Sequence, residues 1–380
     1  MKACPAQIFR PEPAVRPRLK SGRRAVLALV ACLSLASGPA CLKQQFSDLD
    51  TANGGLLGAL LIALASSTMT TYLAFDDTLV FHTSLDRLTW TATTANGPTG
   101  GLDLVRHGGG QTLWGVDKKA ADNLVRSDDF GATWSDVTIG IPRRYKTLAV
   151  CGDTIFMTIN TGTDWDAIYS NDGGTTWNSA NIDTPGTFTI QDAGCSDSNR
   201  LFAVKSNSPP IFFSTDGGAS WTMGANGSAS TTSRAAVRPN SNELLLAAEV
   251  PPATLTKSTD LATSYATADT ATLTGDTFSG GMAADANNFY VTGRAGSSCN
   301  LYTSATGNSG SFNSRSFTCG PADTITQAAS DGTNIIFGGF RSGLVPSVYS
   351  VSLDSNTTSN INLTSAASGS TITTLLAVTQ

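Results

Sequence analysis

Four side chains in the C-terminal half of this 380-residue chain, Glu249, Arg294, Arg341 and Tyr349, are of types that could do chemistry. An arginine presents a planar fork of donors that grips a carboxylate at both oxygens. A tyrosine relayed by a glutamate can attack the glycosidic carbon of a carboxylated sugar while an aspartate serves as acid and base. Gripping one carboxylate from several sides takes more than these two arginines, and Arg106 is a poor third, at a place that reads as the edge of a turn. Glutamate beyond residue 40 is limited to Glu243 and Glu249, and no early aspartate is placed as their partner. G-x-S-x-G, H-E-x-x-H and phosphate-loop patterns are absent. With His82 and His107 as the only histidines and no C-x-x-C spacing, neither a metal nor another cofactor is expected. The D-G-G segments at Asp172 and Asp216 lack the closing glutamate of a calcium loop. No catalytic residue is therefore assigned.

The elements that must position these groups are repeats. Ser127–Trp134 (SDDFGATW), Ser170–Trp177 (SNDGGTTW) and Ser214–Trp221 (STDGGASW) share the pattern S-x-D-x-G-x-[ST]-W, with weaker copies at Ser258 and Ser84. Two further units keep only the apolar and aromatic approach to Ser304 and Ser350. The seven serines are 43, 43, 44, 44, 46 and 46 residues apart. A period near 44 with about four short strands per unit predicts an all-β, seven-bladed β-propeller of four-stranded blades. In one unit strands A, B, C and D are expected at 147–150, 154–159, 166–170 and from 177, in that order. Residues 373–378 align with the innermost strand of a blade, and predict that the C-terminal strand completes blade one beside strands near residues 72–75, 79–84 and 90–94.

The pattern resembles the Asp-box, or BNR, repeat of sialidases, sortilin-type receptors and photosystem assembly factors, and it covers residues 67–380. The resemblance implies a propeller in which Ser127, Asp129, Gly131 and Trp134, with Ser170, Asp172, Gly174, Trp177, Ser214, Asp216, Gly218 and Trp221, are structural. Serine and aspartate satisfy the turn, glycine takes its strained position and tryptophan packs between sheets. It also implies that these turns crowd one face of the disc, leaving the B–C and D–A loops and any ligand on the other. The candidate binding face is then Arg143, Arg144, Trp165, Lys205, Glu249, Arg294 and Arg341, with packing into the next blade as the alternative for Trp165. Sialidases carry an F/Y-R-I-P motif near blade one, and this chain lacks it.

Cys299 and Cys319 flank one turn nearly symmetrically and are expected to pair. Cys151 and Cys195, 44 residues apart, fall at equivalent places on neighbouring inner strands, where bonding depends on inter-blade geometry. The first 24 residues carry seven basic side chains against Glu12, and an apolar run of about 13 residues, too short to span a bilayer, follows. Residues 1–40 read as a signal peptide, and Gly38-Pro39-Ala40-Cys41 as a loose, spirochaete-like lipobox with Cys41 as the lipidated residue. Cys32 is the alternative acylation site, and ordinary cleavage after Ala40 another reading. Residues 41–66, with the apolar stretch Gly54–Ala65, form the expected tether, and the stretch fits a packed helix, a spare strand or a membrane-proximal segment. Beyond residue 40 the chain has 17 basic and 28 acidic residues, a balance that disfavours nucleic acid as a partner. The reading is a monomeric exported lipoprotein of the cell envelope, in the outer membrane, whose propeller binds a protein or a glycan. A sialidase-like hydrolase and a periplasmic assembly factor are the alternatives.

Overall fold

A computed structural model describes residues 69–379 except 98–100, 118–122, 141–144, 161–164, 184–189, 206–210, 226–231, 249–252, 262–269, 274–276, 296–297, 320–322, 342–345, 356 and 364–369. The expected signal peptide, Cys41, Cys32 and Gly54–Ala65 lie outside them. Residues from Met69 onward form one compact unit. Among the described residues no helix is long and apolar enough to cross a membrane.

The unit is a ring of seven four-stranded antiparallel sheets. In blade three, strand A is Tyr145–Cys151, B Thr154–Asn160, C Trp165–Ser170 and D Asn178–Asp183. Blade one is closed from both ends of the unit: Ile372–Thr379 is its innermost strand and lies antiparallel to Thr70–Asp76, with Thr70 opposite Thr379 and Leu73 opposite Leu376. Val80–Ser84 and Thr91–Thr94 complete it. Closure leaves no unpaired inner strand in the ring.

Residue types follow depth in the blade. Strands B are flanked by sheets on both sides and read as continuous apolar runs, as in Leu113–Asp117 and Leu201–Lys205, where every residue is buried. Strands D carry solvated residues, as in Thr222–Met223. Strands A approach the axis and use small residues such as Ala149, Ala193, Gly194 and Ala236, which a narrowing ring requires. The core is divided among the seams between blades. Leu73 and Phe75 pack with Val105 and Leu113 between blades one and two, Phe202 and Val204 with Leu244 and Leu246 between four and five, and Ile336 with Ile372 and Leu375 between seven and one.

The repeated turn is a closed hydrogen-bond unit. Ser127 Oγ donates to Asp129 Oδ1 (2.8 Å) and accepts from the Gly131 amide (2.8 Å), while Asp129 accepts from the Thr133 amide (2.8 Å) and hydroxyl (2.6 Å). Trp134 Nε1 donates to Gly131 O at 2.8 Å. The turns at Ser170 and Ser214 repeat this arrangement. Gly131 has φ +93°, a region that disfavours a Cβ. Each tryptophan then meets an aromatic ring of the preceding blade: Trp134 with Phe75, Trp177 with Trp114, Trp221 with Phe156. In blade one the shortened copy keeps Ser84 Oγ donating to Asp86 (3.0 Å) and Trp90 Nε1 donating to Arg87 O (3.0 Å).

Between blades five and six, where the aspartate and tryptophan are missing from the turn after Ser304, charge replaces the aromatic wedge. Glu243 holds Arg238 (2.7 Å) and Lys257 (3.0 Å), both of which also donate to backbone carbonyls of the turn, at Ala305 and Thr306. The Arg238 guanidinium lies over Phe289 at 4.7 Å. Glu243 is thereby committed to holding a seam.

Cys299–Cys319 is bonded within blade six, and Cys151–Cys195 joins the inner strands of blades three and four with Cα atoms 6.2 Å apart. The pairing that the sequence left open is thus made across a seam. Replacing Cys151 and Cys195 with serine is expected to lower stability by about 2–4 kcal/mol, since the bond closes a loop of intermediate length. Equilibrium urea unfolding of the double variant checks this.

His82 is buried in strand C of blade one, with no hydrogen-bond partner at Nε2. Burial brings its pKa down from 6.5 to about 4. The unfolded chain therefore takes up a proton at this residue before the folded one does, so its contribution is complete above pH 6.5 and is lost as pH falls toward 4. The loss reaches about 3 kcal/mol. His82→Leu is expected to flatten the slope of unfolding free energy between pH 6.5 and 4, read from urea titrations at stepped pH.

Candidate functional site

The two faces of the ring are built differently. The A–B turns, the S-x-D-x-G-x-[ST]-W turns and the closing strand ends at Thr70 and Thr379 share one face, while the B–C and D–A loops share the other. Those loops fall largely outside the described residues, so the site is read from the strand ends that carry them and from the channel they surround.

Each inner strand slips register near its D–A end. The slips fall between Asp103 and Arg106, Tyr145 and Thr147, Ile190 and Asp192, Thr232 and Arg234, Phe278 and Met282, and Ile325 and Gln327. In blade one the strand passes over Thr373. The result is a belt of bulges around the axis. A bulge re-aims side chains and releases backbone groups from the ladder, and here neighbouring strands take up several of them. Thr374 Oγ1 accepts from the Val105 amide (3.1 Å), Asp192 Oδ2 from the Ala235 amide (3.1 Å), and Arg234 Nη1 donates to Gln191 O (3.2 Å). Thr373 Oγ1 donates to Leu102 O at 3.1 Å.

The belt surrounds an axial cavity of about 290 Å³ to which all seven blades contribute. Arg106, Asp192 and Arg234 supply its charged groups, Gln191 part of its polar wall, and Ala235, Ala283 and Leu376 part of its apolar wall. Asp192 is dispersed over two amides, accepting from Ala193 (2.9 Å) and Ala235 (3.1 Å). Arg106 Nη1 donates to Val105 O at 3.0 Å. Burial lowers the Arg106 pKa, opposed by Asp192 and Asp103 and reinforced by Arg234.

The residues expected on the binding face distribute differently. Trp165 opens strand C of blade three and is 3% exposed, packed with Ile190, Ala203 and Phe212 of blade four, so it offers no surface to a ligand. Lys205 ends strand B of blade four and is also buried, its ammonium 5.0 Å from the Phe212 ring centre. Arg294 is half-buried on strand B of blade six, opposite Cys299. Arg341 ends strand B of blade seven, opposite Asp323. Arg143, Arg144 and Glu249 lie outside the described residues. Tyr349 is 2% exposed in a stack with Phe317 and Phe337 between strands of blades six and seven, directed into a seam. Arg106 belongs to strand A, Leu102–His107, and faces the cavity. Sequence reasoning missed Gln191, Asp192 and Arg234. The available signal was positional: the inner strands Ile190–Cys195, Thr232–Val237 and Asp323–Ser330 each carry polar residues at the repeat spacing before small ones.

Fold and channel together define a seven-bladed propeller with an axial pocket. No family model matches the sequence, and no curated protein matches it. Among solved structures, a streptogramin B lyase is similar at 12% identity and TM-score 0.54, over 77% of this chain and 88% of that one. The GH74 xyloglucanase from Xanthomonas campestris is similar at 14% identity and TM-score 0.53, over 80% of this chain and 52% of that one. YCF48 from Cyanidioschyzon merolae is similar at 15% identity and TM-score 0.50, over 72% of this chain and 94% of that one. The chain thus spans about half the length of the xyloglucanase. At these identities the likeness shows the fold.

Proposed function

We propose that this protein is an envelope lipoprotein, acylated at Cys41, whose propeller is a binding scaffold for a protein or glycan on the face of the B–C and D–A loops. One observation carries the reading: the other face is occupied by self-satisfied turns, while the loop face surrounds a channel with polar groups from several blades. The first strand of the ring begins at Thr70, on the turn face beside Thr379. The S-x-D-x-G-x-[ST]-W turns support membership of the Asp-box propellers. Fold alone does not choose between binding and catalysis, since scaffolds of this kind host both. Binding is favoured because Tyr349 is packed in a seam and Glu243 holds Arg238 and Lys257. The net negative charge beyond residue 40 suits solubility and repels nucleic acid.

A photo-crosslinking residue at Gln191, exposed on the inner strand of blade four, should trap a partner on intact cells, whereas one at Thr175, exposed in a turn of blade three, should not. Adducts from Thr175 alone, or from neither position, would contradict the proposal.

A further inference from the structure

Arg106 is a cation without a counter-charge at contact distance. Its guanidinium sits in the wall of the axial cavity, its hydrogen bond is to one backbone carbonyl at 3.0 Å, and none of the described carboxylates forms an ion pair with it. Arg234 enters the same cavity from blade five, three blades round the ring. Asp192, between them in chain order, spends both oxygens on backbone amides, and Asp103 accepts from the Leu104 amide at 2.9 Å. Asp192 and Asp103 keep their charge and act on Arg106 through space, but neither stands at ion-pair distance from it. The half-buried guanidinium makes one hydrogen bond to a neutral acceptor, so it has donors left to offer, and its planar fork matches an oxyanion. The rest of the wall is uncharged, Thr147, Ala235, Ala283 and Gly194 among it, so a small anionic group fits.

We infer that the channel binds a small oxyanion, a carboxylate or phosphate group, held by Arg106 and Arg234. The inference concerns the channel interior and does not depend on the macromolecular partner proposed for the loop face. Arg106 positions the anion directly, and Arg234 adds charge from the opposite wall.

The test uses the intact exported protein at constant ionic strength, with inorganic phosphate and acetate as separate probes against chloride. Phenylglyoxal modification, mapped by mass spectrometry, should slow at Arg106 at least fivefold with a saturating probe, while the half-buried Arg126, already paired with Asp128, reacts at an unchanged rate. The better-protecting probe distinguishes phosphate from carboxylate. The same probe should raise the melting temperature of the wild type but not of Arg106→Met, which removes the cation while keeping bulk. Arg234→Gln should weaken the apparent affinity about tenfold, the loss of one charge-assisted contact. Unprotected Arg106 with both probes, or a melting response that survives in Arg106→Met, would overturn the inference. The protection measurement needs only the wild type, so it decides the matter even where a variant fails to fold.

Discussion

Removing residues 372–380 is expected to leave a chain with no cooperative unfolding transition. The deleted strand supplies the inner edge of blade one, pairing from Thr70↔Thr379 to Asp76↔Ile372. It buries Ile372, Leu375 and Val378 at 1%, 4% and 2% exposure. Burial of three such side chains is worth about 5–9 kcal/mol, comparable with the whole stability of a typical domain, about 5–15 kcal/mol. The deletion also exposes the edge of Thr70–Asp76 and opens the seam to blade seven, where Tyr72 donates to Asp331. Circular dichroism with urea titration checks it: a flat, non-sigmoidal response is expected from the truncated protein. A permuted chain that places 372–379 before Thr70 through a short turn should recover the transition, because Thr70 and Thr379 are already neighbours, their hydroxyls 3.1 Å apart. Recovery would assign the loss to ring closure.

The second large effect is expected at Trp134. Its ring is 7% exposed, meets Phe75 edge-on with centroids 6.2 Å apart, and its indole N–H closes the turn on Gly131 O. Trp134→Ala removes the wedge between blades one and two and leaves that carbonyl without its donor, for about 3–5 kcal/mol. Trp134→Phe keeps most of the packing and loses the hydrogen bond, for about 1–2 kcal/mol. Trp177, more exposed at the next seam, should lose less than Trp134 on the same change to alanine. The order Trp134→Ala above Trp177→Ala above Trp134→Phe is read from urea midpoints. Equal losses at Trp134 and Trp177 would show that the turn, rather than the wedge, carries the energy.

Architecture was legible because the turn is chemically demanding. A serine hydroxyl must receive a glycine amide four residues on, as from Gly131 to Ser127, and an aspartate must collect the next amides. The pattern therefore recurs at blade spacing even where Asp and Trp have decayed, as at Ser304, which still accepts from the Gly307 amide at 2.7 Å. The closing strand was legible because its apolar alternation matches that of the other inner strands. Side-chain direction near the axis was not legible. A bulge flips which neighbour faces the channel, so Arg106 reads as the edge of a turn yet lines the cavity. Trp165 and Lys205 follow the same logic in reverse. Each stands at a strand end beside a loop, but its apolar body finds Phe212 in blade four, the first across a seam and the second within the sheet. The Cys151–Cys195 bond needed the angle between adjacent blades, which no spacing encodes.

Whether the proposed loop-face site binds or turns over a ligand is tested most directly by hydrolysis of a fluorogenic sialoside by the purified protein, with Arg294→Ala, Arg341→Ala and Tyr349→Phe as controls. No turnover above background is expected in any of the four proteins. Turnover by the wild type that either arginine substitution abolishes would contradict the binding-scaffold reading and place an active site on that face.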